Sequence, residues 1–179
     1  MPPDAPGPKR ILVTDDLAPR GLELLRHAPG FAVDVKNRLT PQELLACVGD
    51  YDALVVRSAT KVTAQVLEAG KRLKVVGRAG VGVENIDLEA ATARGVVVMN
   101  APSGNTVTTA EHTVALLLAL AKNVPQATMS LKRGRWEKAR FLNVELFNKV
   151  LGIIGLGRIG SEVARRAKGL AMRVIAYDP

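Results

Sequence analysis

Short apolar runs alternate with amphipathic segments along the first hundred residues of the chain. Runs of four or five apolar residues bounded by polar ones are typical of buried strands, whereas apolar residues three or four apart indicate helices. The predicted strands cover residues 11–14, 31–35, 53–56, 74–77 and 96–99. Because helical patterns separate them, each connection is a βαβ crossover, which implies a parallel sheet. The predicted fold class is therefore α/β, with a flavodoxin-like substrate domain over residues 9–101.

Local signals mark where several of the intervening helices begin. Thr40 directly precedes Pro41 and stands three residues before Glu43. This spacing predicts a capping box, with proline at the first helical position. Thr63 occupies the corresponding position before the next helical pattern, so we expect its hydroxyl to cap that helix.

A different organisation begins after the Ala-Pro-Ser-Gly-Asn segment at residues 101–105. Thr108 and Glu111 have the spacing of a second capping box, so we expect a helix to begin near Thr108. Its side chains are apolar almost all round, which predicts burial between domains or subunits. We expect Pro125 at the first position of the following helix. Residues 102–179 are thus assigned to linking helices and the first part of a second domain.

An apolar strand over residues 150–154 leads into a glycine-rich turn near the end of the chain. Gly155, Gly157 and Gly160 have G-x-G-x-x-G spacing, a helical pattern follows, and a second strand ends at Asp178. In dinucleotide-binding units such glycines permit a tight turn, close approach to the pyrophosphate and close helix packing. The helix N-terminus offers N–H donors to phosphate, and Asp178 is placed to accept ribose hydroxyls. This predicts the first βαβ part of a Rossmann NAD-binding domain; the alternative is a turn that only packs tightly.

Basic residues outnumber acidic ones by 25 to 17, which gives a net charge of +8. They concentrate in residues 132–140 and 158–173. The excess is consistent with nucleic-acid binding, with a field that attracts small anions, or with a solvated surface. Aromatic residues make up only 3% of the chain, too few for base stacking, so we expect no nucleic-acid partner. The other two interpretations remain open.

Other compositional features concern the compartment. Cys47 is the single cysteine, so no internal disulfide can form; we expect a small core residue in a reducing, cytoplasmic compartment. The longest uncharged apolar run, residues 113–121, is far shorter than the roughly 20 residues that span a bilayer, and we expect no membrane partner. Residues 1–8 contain four prolines and no apolar signal segment, which predicts a disordered tail.

Polar residues follow three of the predicted strands. Arg57 and Ser58 come after the third strand, Arg78 and a glycine-rich turn after the fourth, and Asn105 follows the fifth. Ligands of open parallel sheets bind at the carboxyl ends of the strands. Arginine binds carboxylate and phosphate bidentately, so these positions predict a receptor for a small anion. The alternative for each arginine alone is a surface cation.

His27 and His112 are the two histidines. His27 ends a surface helix, where we expect it to face solvent or to cap the helix. His112 follows Glu111 within the apolar helix, but adjacent helical residues do not face each other. We therefore interpret them as a helix-start glutamate and a buried, hydrogen-bonded histidine rather than an acid–base pair. Two such positions form neither a metal site nor a catalytic triad.

Four segments carry a family resemblance. Their sequences are VVRSATKVT at 55–63, VVGRAGVGVENID at 75–87, VMNAPSGN at 98–105 and LGRIG at 156–160. By these segments the chain resembles the NAD-dependent D-3-phosphoglycerate dehydrogenases, a branch of the D-isomer-specific 2-hydroxyacid dehydrogenase family. The resemblance extends from about Lys9 to Pro179, and the Arg-Ser turn at Arg57 favours this branch.

The resemblance implies a site and an activity. The residues implied for the substrate are Arg57, Ser58, Arg78 and Asn105. Those implied for NAD are Val81, Gly155, Gly157, Arg158, Ile159, Gly160 and Asp178. The implied reaction is the oxidation of 3-phosphoglycerate, a phosphorylated 2-hydroxy acid, to 3-phosphohydroxypyruvate in serine biosynthesis, by a homo-oligomer when full length.

The same resemblance limits what these residues can do. The family's catalytic arginine, glutamate and histidine all lie beyond the position of residue 179, so no catalytic residue is assigned here and we expect this truncated chain to be inactive alone. Two alternatives remain: another D-2-hydroxyacid dehydrogenase, and a non-catalytic NAD-sensing scaffold similar to the C-terminal-binding corepressors. Arg57 and Ser58 argue against the scaffold, as does the lack of any sign of a peptide-binding cleft in the sequence.

Overall fold

A computed structural model describes residues 7–179 of the chain. Most of the proline-rich segment 1–8, predicted to be a tail, therefore lies outside the described residues. The chain divides into two compact units between Pro102 and Ser103. Each unit contains its own parallel sheet, and each is described by itself below.

The first unit is built on a five-stranded parallel sheet. Its strands are β1 (Lys9–Val13), β2 (Phe31–Val35), β3 (Ala53–Val56), β4 (Val75–Arg78) and β5 (Val97–Asn100). They are arranged in the order β2-β1-β3-β4-β5, and every neighbouring pair is parallel. This is the flavodoxin-like order, so the predicted architecture of the first domain is confirmed.

Helices connect the strands as the sequence pattern predicts. They are α1 (Pro19–His27), α2 (Pro41–Cys47), α3 (Ala64–Ala69) and α4 (Leu88–Ala93). The capping box before α2 is confirmed, because Thr40 Oγ1 accepts from the Glu43 backbone N–H at 3.3 Å and Glu43 Oε2 accepts from the Thr40 backbone N–H at 2.8 Å. The hydroxyl oxygen of Thr63 caps α3 by accepting from the Val66 backbone N–H.

The core of the first unit consists mainly of aliphatic side chains from the strands β1, β3 and β4 and from the helices α2, α3 and α4. Its buried cluster contains Leu12, Leu44, Val48, Tyr51, Leu54, Val56, Val62, Val66, Leu67, Leu73, Val76, Ile86, Ala91 and Val96. Cys47 packs against this cluster and is partly buried. A contiguous core of this size holds the carboxyl ends of the strands in fixed positions.

The second unit begins with two helices, α5 (Thr106–Ala121) and α6 (Val124–Lys132). A short 3₁₀ helix (Lys138–Arg140) follows them. The strands β6 (Val150–Ile154) and β7 (Arg173–Tyr177) pair in parallel, and α7 (Arg158–Gly169) connects them. This is the predicted βαβ unit. Helix α7 packs against α5, where Arg166 lies 3.4 Å from Glu111.

Two predictions for α5 and α6 are wrong, and a third is not tested. Helix α5 begins at Thr106 with Asn105 in the N-cap position, so Thr108 and Glu111 lie inside the helix and form no capping box. Of the α5 residues only Ala110 is buried and Leu120 is 73% exposed, so burial of this helix between domains or subunits stays a prediction. Pro125 is the second residue of α6, because the helix begins one residue earlier. Helix α5 starts earlier than expected because the Thr109 backbone N–H already bonds to the Asn105 carbonyl oxygen at 2.8 Å.

Membrane-spanning potential is limited in the described part of the chain. No helix within residues 7–179 combines the length and the apolar character that crossing a bilayer requires. Taken together, α5 and α6 meet the criteria of length and composition, but the two helices are bent by 62° where they meet.

Candidate functional site

The glycine-rich loop of the second unit depends on residues without side chains. Gly155 directly follows β6 with φ of 90°, a conformation that glycine adopts without strain. A Cβ atom on Gly160 would overlap the carbonyl oxygen of Gly155. The first turn of α7 therefore lies directly against the loop, which any larger residue at position 160 would push away.

Gly157 differs from the other two glycines. It is the N-cap of α7, and no side chain caps the helix there. A Cβ atom on Gly157 would meet no protein atom within 4 Å. Packing within the protein therefore does not explain this glycine. An open surface beside the uncapped N–H groups of a helix is instead suited to a phosphate that approaches the backbone closely.

Asp178 lies beside this loop. Its Oδ1 accepts a hydrogen bond from the Leu156 backbone N–H at 3.0 Å, and the adjacent Tyr177 carbonyl accepts from the Gly155 N–H at 2.8 Å. Asp178 remains exposed, so its second carboxylate oxygen is available to a ligand. The structure thus brings the predicted acidic residue to the glycine loop.

These features fit a dinucleotide. The loop supplies an open backbone surface at Gly157, the helix supplies uncompensated N–H donors, and Asp178 supplies an acceptor for hydroxyl groups. Arg158 is the first residue of α7 and Ile159 the second, where Ile159 is partly buried. The residues present are therefore those that a pyrophosphate and a ribose require.

A second candidate site lies on the first unit, where β1 and β3 are neighbours. Chain connections leave these two strands in opposite directions across the sheet, as the order β2-β1-β3 shows. Ligands of open parallel sheets bind in the crevice at such a switch point, outside the carboxyl ends of the strands. Arg57 and Ser58 directly follow β3 at this position, and both are exposed.

The Arg57 side chain is partly held in place. Its Nη1 atom donates to the carbonyl oxygen of Asp16 at 3.2 Å. Asp16 follows β1, so the contact joins the two strand ends that form the switch point. Because a guanidinium group carries five N–H donors, this single bond leaves most of them available for a ligand.

Two side chains that the sequence did not single out hold the backbone of this turn. The carboxylate of Asp15 accepts from the backbone N–H groups of Arg57 at 2.5 Å and Thr60 at 3.2 Å. The Asn85 amide donates to the carbonyl oxygens of the same two residues. One signal was present in the sequence: Asp15 stands at the end of a buried strand. The contact itself, 42 residues along the chain, was not visible.

Arg78 is placed differently from Arg57. It is only 8% exposed, and its guanidinium binds Glu84 Oε1 at 2.8 Å and the carbonyl oxygen of Gly82. The arginine therefore closes its own turn. Val81, in the middle of that turn, is held through its carbonyl oxygen by Asn100 Nδ2 at 2.6 Å. This geometry favours a role for Arg78 in shaping the turn.

The remaining candidates are more isolated. Asn105 is the exposed N-cap of α5, and its side chain makes no capping hydrogen bond. His27 is exposed, with Nδ1 2.8 Å from the Glu23 carbonyl oxygen, as expected for a residue at a helix end. His112 is exposed, so the prediction of a buried histidine is wrong, because its face of α5 is not covered within the second unit. Residues 7–179 contain no cluster of three metal-ligating side chains.

Comparison with known families decides the family of the chain. Residues 11–173 match the family model described as D-isomer specific 2-hydroxyacid dehydrogenase, catalytic domain. The match extends over most of both units and includes the Arg57 turn and the glycine loop, but it ends before Asp178. The chain belongs to this family.

Curated relatives of the family are highly similar. The chain is 52% identical over 170 residues to a D-3-phosphoglycerate dehydrogenase of Archaeoglobus fulgidus, which covers 95% of the chain. It is 51% identical over 171 residues to a D-3-phosphoglycerate dehydrogenase of Sus scrofa, which covers 96% of the chain. In both comparisons the chain spans 32% of the length of the relative.

Two solved structures are similar to the chain in fold. The TT0316 protein of Thermus thermophilus is 37% identical, with a TM-score of 0.86 over 94% of this chain and 56% of that one. The cofactor (NAD+)-bound 3-phosphoglycerate dehydrogenase of Entamoeba histolytica is 27% identical, with a TM-score of 0.78 over 97% of this chain and 55% of that one. The family and the fold inferred from the sequence motifs are thereby confirmed.

Proposed function

We propose that these 179 residues provide the substrate-binding domain and the first part of the NAD-binding domain of a D-3-phosphoglycerate dehydrogenase. The proposed reaction oxidises 3-phosphoglycerate to 3-phosphohydroxypyruvate, a step that leads to L-serine. The observation that carries the proposal is the exposed Arg57-Ser58 turn at the switch point of the sheet. Identities of 52% and 51% to proteins of that name support it.

The substrate chemistry suits this turn. 3-Phosphoglycerate carries a carboxylate and a phosphate, and a guanidinium binds either group through two parallel N–H···O bonds. Arg57 presents its unused donors at the edge of the sheet, next to the hydroxyl of Ser58. Asn105 is proposed as a further polar contact and Arg78 as the group that keeps its glycine-rich turn in shape.

The glycine loop suits the cofactor. NAD, when bound, supplies the acceptor for the hydride that leaves C2 of the substrate. The proposed contribution of the chain is to hold the pyrophosphate on the backbone at Gly157 and to accept ribose hydroxyls at Asp178. Arg158, Ile159 and Val81 are proposed as additional contacts with the cofactor.

Removal of the hydroxyl proton requires a base. His27 bonds to its own helix and His112 lies on α5, and neither is among the residues proposed for substrate or cofactor. We therefore assign no catalytic base among residues 7–179. The proposed share of these residues is to bind and orient substrate and cofactor.

A chimera tests the proposal. Residues 1–179 are joined to the C-terminal remainder of the Archaeoglobus fulgidus relative, hereafter the chimera. We expect NADH formation with 3-phosphoglycerate, and little with D-glycerate, which lacks the phosphate. Faster turnover with unphosphorylated 2-hydroxy acids would instead indicate another member of the family. NAD binding without any turnover, while the intact relative is active, would favour the sensing scaffold.

Direct binding provides a second readout that does not require the chimera to be active. Titration of the 179-residue chain with 3-phosphoglycerate should shift the backbone amide resonances of Arg57 and Ser58. Inorganic sulfate at the same ionic strength is the control for nonspecific attraction to a basic protein. Equal shifts with both anions would contradict a substrate site.

A further inference from the structure

We propose that Asp15 and Asn85 are positioning residues, which hold the turn from Arg57 to Thr60 so that Arg57 and Ser58 face the substrate. The inference rests on the proposed function of this turn. Asp15 precedes β3 in the chain, Asn85 follows β4, and neither belongs to the exposed tip of the turn. Their effect is instead exerted through the backbone of the turn, from two sides.

Asp15 holds the turn through its N–H groups. Its Oδ2 atom accepts from the backbone N–H groups of Arg57 and Thr60, and its Oδ1 atom lies 2.9 Å from the Thr60 hydroxyl. Asp15 is only 8% exposed. A buried carboxylate is costly unless hydrogen bonds compensate its charge, and here the turn provides them. Asp15 and the turn therefore stabilise each other.

Asn85 holds the opposite side of the turn through carbonyl groups. Its Nδ2 atom donates to the Arg57 carbonyl oxygen at 2.7 Å and to the Thr60 carbonyl oxygen at 2.6 Å. Asn85 is itself fixed, because its own carbonyl oxygen accepts from the Val62 backbone N–H at 2.8 Å. Val62, two residues after the turn, therefore fixes the backbone of the asparagine that holds the turn.

The two contacts together leave a defined part of the turn free. All four backbone polar groups of Arg57 and Thr60 are bound by two side chains. Ser58 and Ala59, between them, are exposed. A binding turn held at both ends loses less conformational entropy when a ligand binds, so its affinity is higher than that of a mobile turn.

Asp52 offers a matched comparison within the same unit. It too is a carboxylate that accepts a backbone N–H from 42 residues away, that of Arg10 at 2.9 Å, and it also pairs with Arg72 at 3.1 Å. Asp52 directly precedes β3, so it lies at the amino end of the strand whose carboxyl end bears Arg57. Its removal should lower stability without changing the substrate turn.

The experiment compares four variants of the chimera: Asp15→Ala, Asp15→Asn, Asn85→Asp and Asp52→Ala. We expect Asp15→Ala to raise the KM for 3-phosphoglycerate about tenfold or more, while the KM for NAD stays within about twofold. Asp15→Asn should recover part of the loss, because an amide oxygen still accepts the two N–H bonds. Asn85→Asp places a carboxylate against two carbonyl oxygens and should resemble Asp15→Ala.

Hydrogen exchange gives a readout that is independent of substrate binding. In the 179-residue chain, Asp15→Ala should accelerate exchange of the Arg57 and Thr60 amides about tenfold or more, relative to Asp52→Ala. Asp52→Ala should lower the melting temperature at least as much as Asp15→Ala, with both KM values unchanged. A stability loss alone would then not account for the effect of Asp15.

Two results would overturn the inference, and they are distinguishable. If Arg57→Ala raises the KM for 3-phosphoglycerate but Asp15→Ala and Asn85→Asp do not, the turn binds substrate without needing its supports. If Arg57→Ala itself has no effect on that KM, the proposed function of the turn is wrong and the positioning role falls with it.

Discussion

The two candidate binding turns follow the strands β3 and β6, yet they are held in shape by different means. The turn after β3 depends on side chains from distant parts of the chain, Asp15 and Asn85. The loop after β6 depends on Gly155 and Gly160 and on a backbone contact to the end of β7. The first turn is therefore sensitive to losing side chains, and the second to gaining them.

The two turns also present different chemistry to a ligand. The turn after β3 offers the guanidinium of Arg57 and the hydroxyl of Ser58, which suit a small anion of defined shape. The loop after β6 offers backbone N–H groups and the free end of α7, which suit any pyrophosphate.

The largest effect is expected from a side chain at Gly160. Gly160→Val should abolish measurable NAD binding by the chimera, because its Cβ would overlap the Gly155 carbonyl oxygen. The variant should also lose about 1–3 kcal/mol of stability through overpacking. Gly169→Ala, at the other end of α7 where a Cβ meets nothing, is the control. Calorimetric titration with NAD measures the difference, and unchanged binding by Gly160→Val would contradict the account of the loop.

Gly157 separates ligand approach from folding. The methyl group of Gly157→Ala meets no protein atom, so the unfolding free energy should change by no more than about 1 kcal/mol. We nevertheless expect the Kd for NAD to rise about tenfold, because the methyl group occupies space proposed for the pyrophosphate. Denaturant unfolding and titration on the same sample check both parts. A normal Kd would mean that the open surface at Gly157 is not the phosphate site.

Asp178 should decide between the two nicotinamide cofactors. Its carboxylate repels a 2′-phosphate, so the chimera should have a higher kcat/KM with NAD than with NADP. Asp178→Ala should reduce that preference about tenfold, chiefly by weakening NAD. Asp178 also binds the Leu156 N–H, so Asp178→Asn, which can keep that bond, is the control for loop geometry. Equal preference in the unmodified chimera would exclude this role.

A smaller, pH-dependent effect on stability is expected at Asp52, which lies at the amino end of β3. The backbone N–H of Arg10 and the side chain of Arg72 hold the pKa of Asp52 below its ordinary value, against the opposing effect of burial. A lowered carboxyl pKa stabilises the fold above the ordinary value of about 3.9, and this stability is lost as pH falls through the folded-state pKa. Asp52→Asn should therefore have a lower free energy of unfolding than the unmodified chain at about pH 6. This difference in unfolding free energy should be smaller at about pH 3. The urea midpoints of both proteins at the two pH values measure this difference. A difference that does not change with pH would contradict a lowered pKa of Asp52.

The sequence predicted most of the fold because its signals are local. The strands 31–35 and 53–56 appear with those bounds, and the Thr40 capping box is present as expected. The glycine loop could also be predicted, because its three glycines lie close together in the sequence and their spacing is itself the signal.

Where the sequence failed, the deciding contacts are not local. The start of α5 was misplaced because Thr108 and Glu111 have the spacing of a capping box, whereas the helix already begins at Thr106. The supports of the Arg57 turn were missed because Asp15 and Asn85 lie 42 and 28 residues away from it. The contact between Glu84 and the Arg78 guanidinium was missed as well, while the substrate contact implied for Arg78 stays a prediction.

The KM for 3-phosphoglycerate in Arg57→Ala tests the central claim most directly. The matched control is Arg94→Ala, an exposed arginine at the end of α4, close to the amino end of β5 and away from the switch point. We expect Arg57→Ala to raise the KM of the chimera for 3-phosphoglycerate about tenfold to a hundredfold, without changing its KM for NAD. Arg94→Ala should change neither KM. Equal changes in both KM values, or the same change in Arg94→Ala, would show that Arg57 does not bind the substrate.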